Sequence, residues 1–152
     1  MLNRIYYTIL FLLITYMSFA GNPMLHGSWK GFIMSNTNDE SNKNGLQSTL
    51  TITDDNDKGQ IFGEMIVFYR YQTDIYKAKY KITGSIDYAN YTISFQQGDF
   101  IYADLLPKGL NWCTGGGTFS VFRSTTAKKI YMDGYMKTNC GPENLRLVLI
   151  KM

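Results

Sequence analysis

Apolar and polar residues alternate two apart through most of this chain. The pattern is clearest between residues 76 and 86. There Tyr76, Ala78, Tyr80, Ile82, Gly84 and Ile86 interleave with Lys77, Lys79, Lys81, Thr83 and Ser85. Successive strand side chains point to opposite faces, so this spacing predicts a strand with the first set inward and the lysines in water. A helix would scatter the lysines around its circumference. The same reading predicts strands at residues 27–34, 48–53, 60–72, 91–96, 100–105, 118–123, 129–137 and 145–151. Between them lie a polar loop at 36–45, an Asp- and Asn-rich turn at 54–59 and a turn at 87–90. A break at Pro107-Lys108-Gly109, a glycine-rich link at 113–117 and a turn at Cys140-Gly141-Pro142 complete the set. Short polar side chains and glycine supply such turns through local backbone bonds and positive φ. No long helical periodicity is present.

Eight or nine strands joined by short links predict an all-β domain, a single antiparallel up-and-down β-barrel of about eight strands, with a β-sandwich as the alternative. A barrel removes the exposed edges that recruit other strands. Gly31, Gly63, Gly84 and Gly134, inside predicted strands, fit a sheet that bends sharply to close.

The first twenty residues break the alternation. Arg4 precedes an apolar run over residues 8–17, and Ser18 and Ala20 supply small residues before a cut. That order predicts a signal peptide at 1–20, cleaved after Ala20, and a barrel domain at 21–152. The apolar run is short for a membrane span, which needs about 20 residues. No cysteine stands near the cut to carry a lipid. The expected location is secreted or periplasmic, with no transmembrane segment in the mature chain.

Composition adds strand formers: 12 Tyr and 9 Phe against 3 Pro. The formal charge of +3 falls to +2 once Arg4 leaves. That is too weak to draw nucleic acid or an anionic membrane. The two cysteines, Cys113 and Cys140, predict one intramolecular disulfide in an oxidising compartment.

Gly27-Ser28-Trp29, opening the first strand of a small secreted β-barrel, resembles the Gly-x-Trp of the calycin group: lipocalins, avidins and fatty-acid-binding proteins. The paired segments Gln60-Ile61-Phe62-Gly63-Glu64 and Tyr80-Lys81-Ile82-Thr83-Gly84 are similar to early avidin-like strands. The resemblance implies that the Trp29 indole closes one barrel end with a basic residue packed across it, Arg146 or Arg123. The Thr-Asp-Tyr signature of lipocalins is absent. The C-terminal third, with Trp112-Cys113, Met132-Asp133-Gly134-Tyr135 and Asn139-Cys140-Gly141-Pro142, resembles uncharacterised secreted proteins of Bacteroidetes-type bacteria.

Chemistry-bearing motifs are few. His26 is the sole histidine, at the start of the first strand, which leaves little for nucleophilic or His/Cys zinc chemistry. Gly115-Gly116-Gly117 lacks the lysine and helix of a phosphate loop. Asp54, Asp55 and Asp57 read as a turn rather than a calcium loop, because the EF-hand glycine and glutamate are misplaced. Lys77, Lys79 and Lys81 make a solvated basic stripe. Asn90-Tyr91-Thr92 is a glycosylation sequon in a eukaryotic pathway. Glu64, Asp99, Asp104 and Asp133 are the carboxylates in or beside strands that a hydrolase would use. No cofactor or metal is expected. Trp29, Tyr69, Tyr80, Phe95 and Tyr102 are the candidate cavity lining, unless the rings fill a solid barrel. The leading expectation is a non-enzymatic, exported calycin-like barrel that binds a small apolar ligand. The alternative is a protein-interaction or inhibitor module, binding another exported protein through the 36–45 loop and the 114–117 link. A carboxylate-dependent hydrolase stands third.

Overall fold

Eight antiparallel strands take up the alternating segments, and each hydrogen-bonds to its neighbours in sequence. They are β1 (Gly27–Ser35), β2 (Leu46–Asn56), β3 (Gln60–Tyr71), β4 (Asp74–Asp87), β5 (Thr92–Ala103), β6 (Gly115–Arg123), β7 (Ile130–Thr138) and β8 (Asn144–Lys151). β1 also pairs with β8, from Trp29↔Lys151 to Ser35↔Leu145, which closes the sheet into an up-and-down barrel. The structure, a computed structural model, describes residues 25–35, 45–56, 59–141 and 144–152. The expected signal peptide, most of the 36–45 loop, Asp57 and Pro142 lie outside these residues, as do the side chains of Asp54 and Asp55.

Period-two burial builds the interior. Ala78, Tyr80, Ile82 and Ile86 of β4 are buried, while Lys77 and Lys81 are exposed and Lys79 half-buried. Trp29, Leu50, Ile61, Ile93, Phe119, Met132 and Leu149 enter the same core from the other strands. Close approach of neighbouring backbones explains the strand glycines. A Cβ on Gly31 would lie 1.9 Å from the Val148 carbonyl oxygen, and one on Gly84 2.0 Å from that of Ser94. No side chain fits either place.

Three boundaries differ from the sequence expectation. The segments expected as a fifth and a sixth strand, 91–96 and 100–105, are one strand, β5. Register shifts between Lys79 and Tyr80 and between Tyr80 and Ile82 absorb extra β5 residues as bulges, so Gln97 stays paired with Ile82 while Gly98 and Asp99 bulge out and the strand runs on without turning. Gly115-Gly116-Gly117 is the start of β6, not a flexible link. It pairs with Thr138, Lys137 and Met136, and a Cβ on Gly117 would meet the Tyr135 carbonyl at 2.2 Å. The acidic turn is shorter than expected, because β2 runs on through Asp54 and Asp55 to Asn56 after a register shift past Ile52.

The antiparallel order sorts the connections. The ends of β1, β3, β5 and β7 meet the starts of β2, β4, β6 and β8 at one rim, here called the upper one. Leu25 and His26, the 88–91 and 124–129 turns and the C-terminus gather at the lower rim.

Candidate functional site

The lower half of the barrel is filled by buried side chains. Trp29 is fully buried, and the Lys151 ammonium lies 5.9 Å from its ring centroid. Burial pulls that ammonium below the ordinary lysine value. The residue packed across the indole is therefore Lys151. Arg146, one of the two arginines expected there, instead donates from Nε and Nη2 to the two carboxylate oxygens of Asp133, at 2.9 and 2.7 Å. Phe95 stacks on Phe119 with ring centroids 4.6 Å apart, filling the middle of the barrel.

The upper half is hollow. A cavity of about 260 Å³ opens there. Its wall is built from inward positions of the strands: Ile33, Val67, Tyr69, Tyr80, Gln97 and Met136. Its cover comes from the β5–β6 connection, residues 104–114, which places Leu106, Leu110, Trp112 and Cys113 against the same space. None of the described residues lining it carries a charge.

That covering strap has no regular structure, and it is tied down at several points. Near β5, the Asp104 N–H donates to the Lys77 carbonyl at 2.9 Å, and its carboxylate accepts from Lys77 N–H at 2.8 Å. The Trp112 indole N–H reaches back to the Asp104 carbonyl at 2.7 Å. Near β6, the Cys113–Cys140 disulfide joins the strap to the β7–β8 turn, with Cα atoms 5.6 Å apart. Thr114 N–H donates to Asn139 Oδ1, and Asn139 N–H to the Thr114 carbonyl, both at 3.0 Å. From inside the barrel, the Tyr80 hydroxyl donates to the Cys113 carbonyl at 3.0 Å. Burial pushes the Tyr80 pKa up to about 12.

One polar side chain is buried in the wall. Gln97 Oε1 accepts the Gly115 N–H at 2.8 Å, and Nε2 donates to Met65 Sδ at 3.2 Å. A backbone N–H can only donate, so Gly115 fixes which way round the amide lies.

Of the five expected lining residues, Tyr69 and Tyr80 face this cavity. Trp29 lies four residues along β1 from Ile33, about 13 Å at strand rise, in the solid end. Phe95 belongs to the packed middle. Tyr102 is on the outer surface, where its hydroxyl donates to Asp104 and Lys77 Nζ sits 5.4 Å from its ring centroid. Sequence reasoning missed Gln97 and the strap residues. Trp112 beside Cys113, an aromatic next to a tethered cysteine, was the usable signal.

The four carboxylates do not converge on the cavity. Glu64 pairs with Lys79 at 2.6 Å, which also interrupts the lysine stripe. Asp133 holds Arg146, Asp104 anchors the strap, and Asp99 is exposed in the bulged half of β5. At the sequon, Asn90 is engaged by Asp87, whose carboxylate accepts from the Ala89 and Asn90 N–H groups and from Asn90 Nδ2.

No protein-family model matches the chain, and neither a curated protein nor a solved structure matches it. What points to function is the barrel's own geometry.

Proposed function

We propose that this protein is an exported, non-enzymatic, calycin-like carrier or sensor that holds one small apolar molecule in the upper half of its barrel. The observation behind it is a cavity of about 260 Å³, uncharged among its described lining residues, beneath a disulfide-tethered strap. Barrel mouths are a recurrent place for such sites. The drive is apolar surface removed from water, worth about 25 cal/mol per Å². Scaling from a cavity of about 150 Å³ that holds benzene, the ligand has about ten non-hydrogen atoms.

A protein-interaction role draws support from a different feature. Tyr71, Ile75, Phe100 and Leu105 are exposed toward the upper rim, where a partner would meet them.

Native mass spectrometry of the protein purified from its own host tests the ligand reading. The expected result is an added mass that Val67→Trp, which fills the cavity, removes. A bare protein mass from every host fraction counts against it.

A further inference from the structure

The polar inventory of the cavity narrows the ligand class, on the premise that this cavity is the ligand site. Gln97 is 5% exposed. Its carbonyl oxygen is committed to Gly115 N–H, which leaves the NH2 group facing Met65. That group carries two hydrogens. Thioether sulfur is a weak acceptor and takes one of them. The second is a donor in an apolar wall, and a buried donor left without a partner is unfavourable. The Tyr80 hydroxyl cannot donate to a ligand without giving up the Cys113 carbonyl. Tyr69, Asn111 and Thr138 also bring polar groups to the lining, but Tyr69 and Thr138 are only half-buried and Asn111 is exposed, so water can serve them. Among the described cavity residues that are buried, the spare side-chain donor is thus Gln97 Nε2. No charge lies among the described lining residues to offset the desolvation of an ionised ligand.

We propose that the cavity selects an uncharged, ring-sized apolar molecule bearing one hydrogen-bond acceptor, such as a ketone, ether or hydroxyl oxygen, which Gln97 Nε2 engages. A carboxylate of the same size is rejected, and so is the matching hydrocarbon in favour of its oxygenated counterpart. The net value of a neutral hydrogen bond, about 0.5–1.5 kcal/mol, sets that preference at roughly 3- to 10-fold.

Isothermal titration of the intact, oxidised protein with three probes of similar size tests this: acetophenone, isopropylbenzene and benzoate. The expected order is acetophenone tightest, isopropylbenzene roughly 3- to 10-fold weaker, and no heat of binding from benzoate. In Gln97→Leu the first two converge while isopropylbenzene still binds. The wild-type comparison stands even if that variant fails to fold. Isopropylbenzene binding as tightly as acetophenone, or benzoate binding at all, overturns the inference and leaves the cavity as the ligand site. Absence of binding by all three removes the ligand-site reading itself.

Discussion

Tyr80 does two jobs in one side chain. Its ring closes the wall of the cavity, and its hydroxyl holds the strap through the Cys113 carbonyl. Ionisation is resisted in the folded state, since the pKa stands at about 12 against an ordinary 10.0. A raised folded value means that the unfolded chain loses this proton first as pH rises. The Tyr80 contribution is therefore complete below pH 10 and is lost between about 10 and 12. Denaturant titrations across that range are expected to show falling stability, with a smaller slope in Tyr80→Phe. That variant should itself cost roughly 0.5–1.5 kcal/mol at neutral pH, through the lost bond to Cys113.

Asp133 behaves in the opposite sense. The Arg146 guanidinium bound to it holds its carboxyl below the usual range. Its contribution is present above the ordinary carboxylate pKa and is lost as pH falls through the depressed folded value. Both side chains are partly exposed, so solvent screening keeps the pair to about 0.5–1 kcal/mol. Asp133→Asn should lower stability by that much at neutral pH and by nothing once the acid is protonated, as chemical denaturation at the two pH values would register. At this scale the sequence was readable where period two applied. Tyr69 and Tyr80 fall on inward positions and face the cavity. Gln97 did not announce itself, because the expected strand ended at Gln96 and left it in a gap, although it continues the inward set of Ile93 and Phe95. Its burial follows once β5 is seen to run on past Gln96, and the Gly115 contact shows what its carbonyl does there.

The elements that matter most are the strap and the glycine-bearing strands. The 104–114 strap owes its place over the cavity to the Cys113–Cys140 link as much as to hydrogen bonds. Closing a loop with a sequence separation of 27 contributes about 3–4 kcal/mol in the chain-entropy model. Cys113→Ser/Cys140→Ser should lose roughly that in thermal or denaturant unfolding. It should also weaken binding of an apolar probe, because Leu106, Leu110 and Trp112 lose one anchor. Unchanged stability would contradict the role given to the bridge. Gly31→Ala places a methyl 1.9 Å from the Val148 carbonyl oxygen, so β1 and β8 must separate. A loss of about 1–3 kcal/mol is expected from overpacking of this kind. Circular dichroism melts would register it.

The β4 lysine alternation and the hairpin spacing made the strands legible in advance. The strap was not, since residues 104–114 have no period and are shaped by tethers to residues far away in sequence, Lys77, Tyr80 and Asn139. The division of β5 into two segments failed for a related reason. Bulges let a strand carry a polar Gly-Asp pair that, in a single sequence, looks like a turn.

At the scale of the molecule, the described barrel is packed with buried side chains below and holds a cavity above. Trp29, Phe95 and Phe119 pack one part, while Tyr69, Tyr80, Met136 and the strap enclose the other. Sequence alone weighed a filled barrel against a cavity, and the fold contains both, at opposite ends. A ten-atom apolar ligand, at about 0.5–0.8 kcal/mol per atom, would bind with a Kd between about 1 μM and 0.2 mM. The methionines report the two ends separately. Met136 lines the cavity, Met65 touches Gln97, and Met132 is buried four residues along β7 from Met136 in the packed half. Methyl-labelled methionine spectra recorded while acetophenone is titrated into the oxidised protein therefore test the account most directly. The predicted result is a saturable shift of Met136, a smaller one of Met65 and none of Met132. Three unmoved resonances at millimolar probe, or a shift centred on Met132, would contradict a ligand site in the upper half of the barrel.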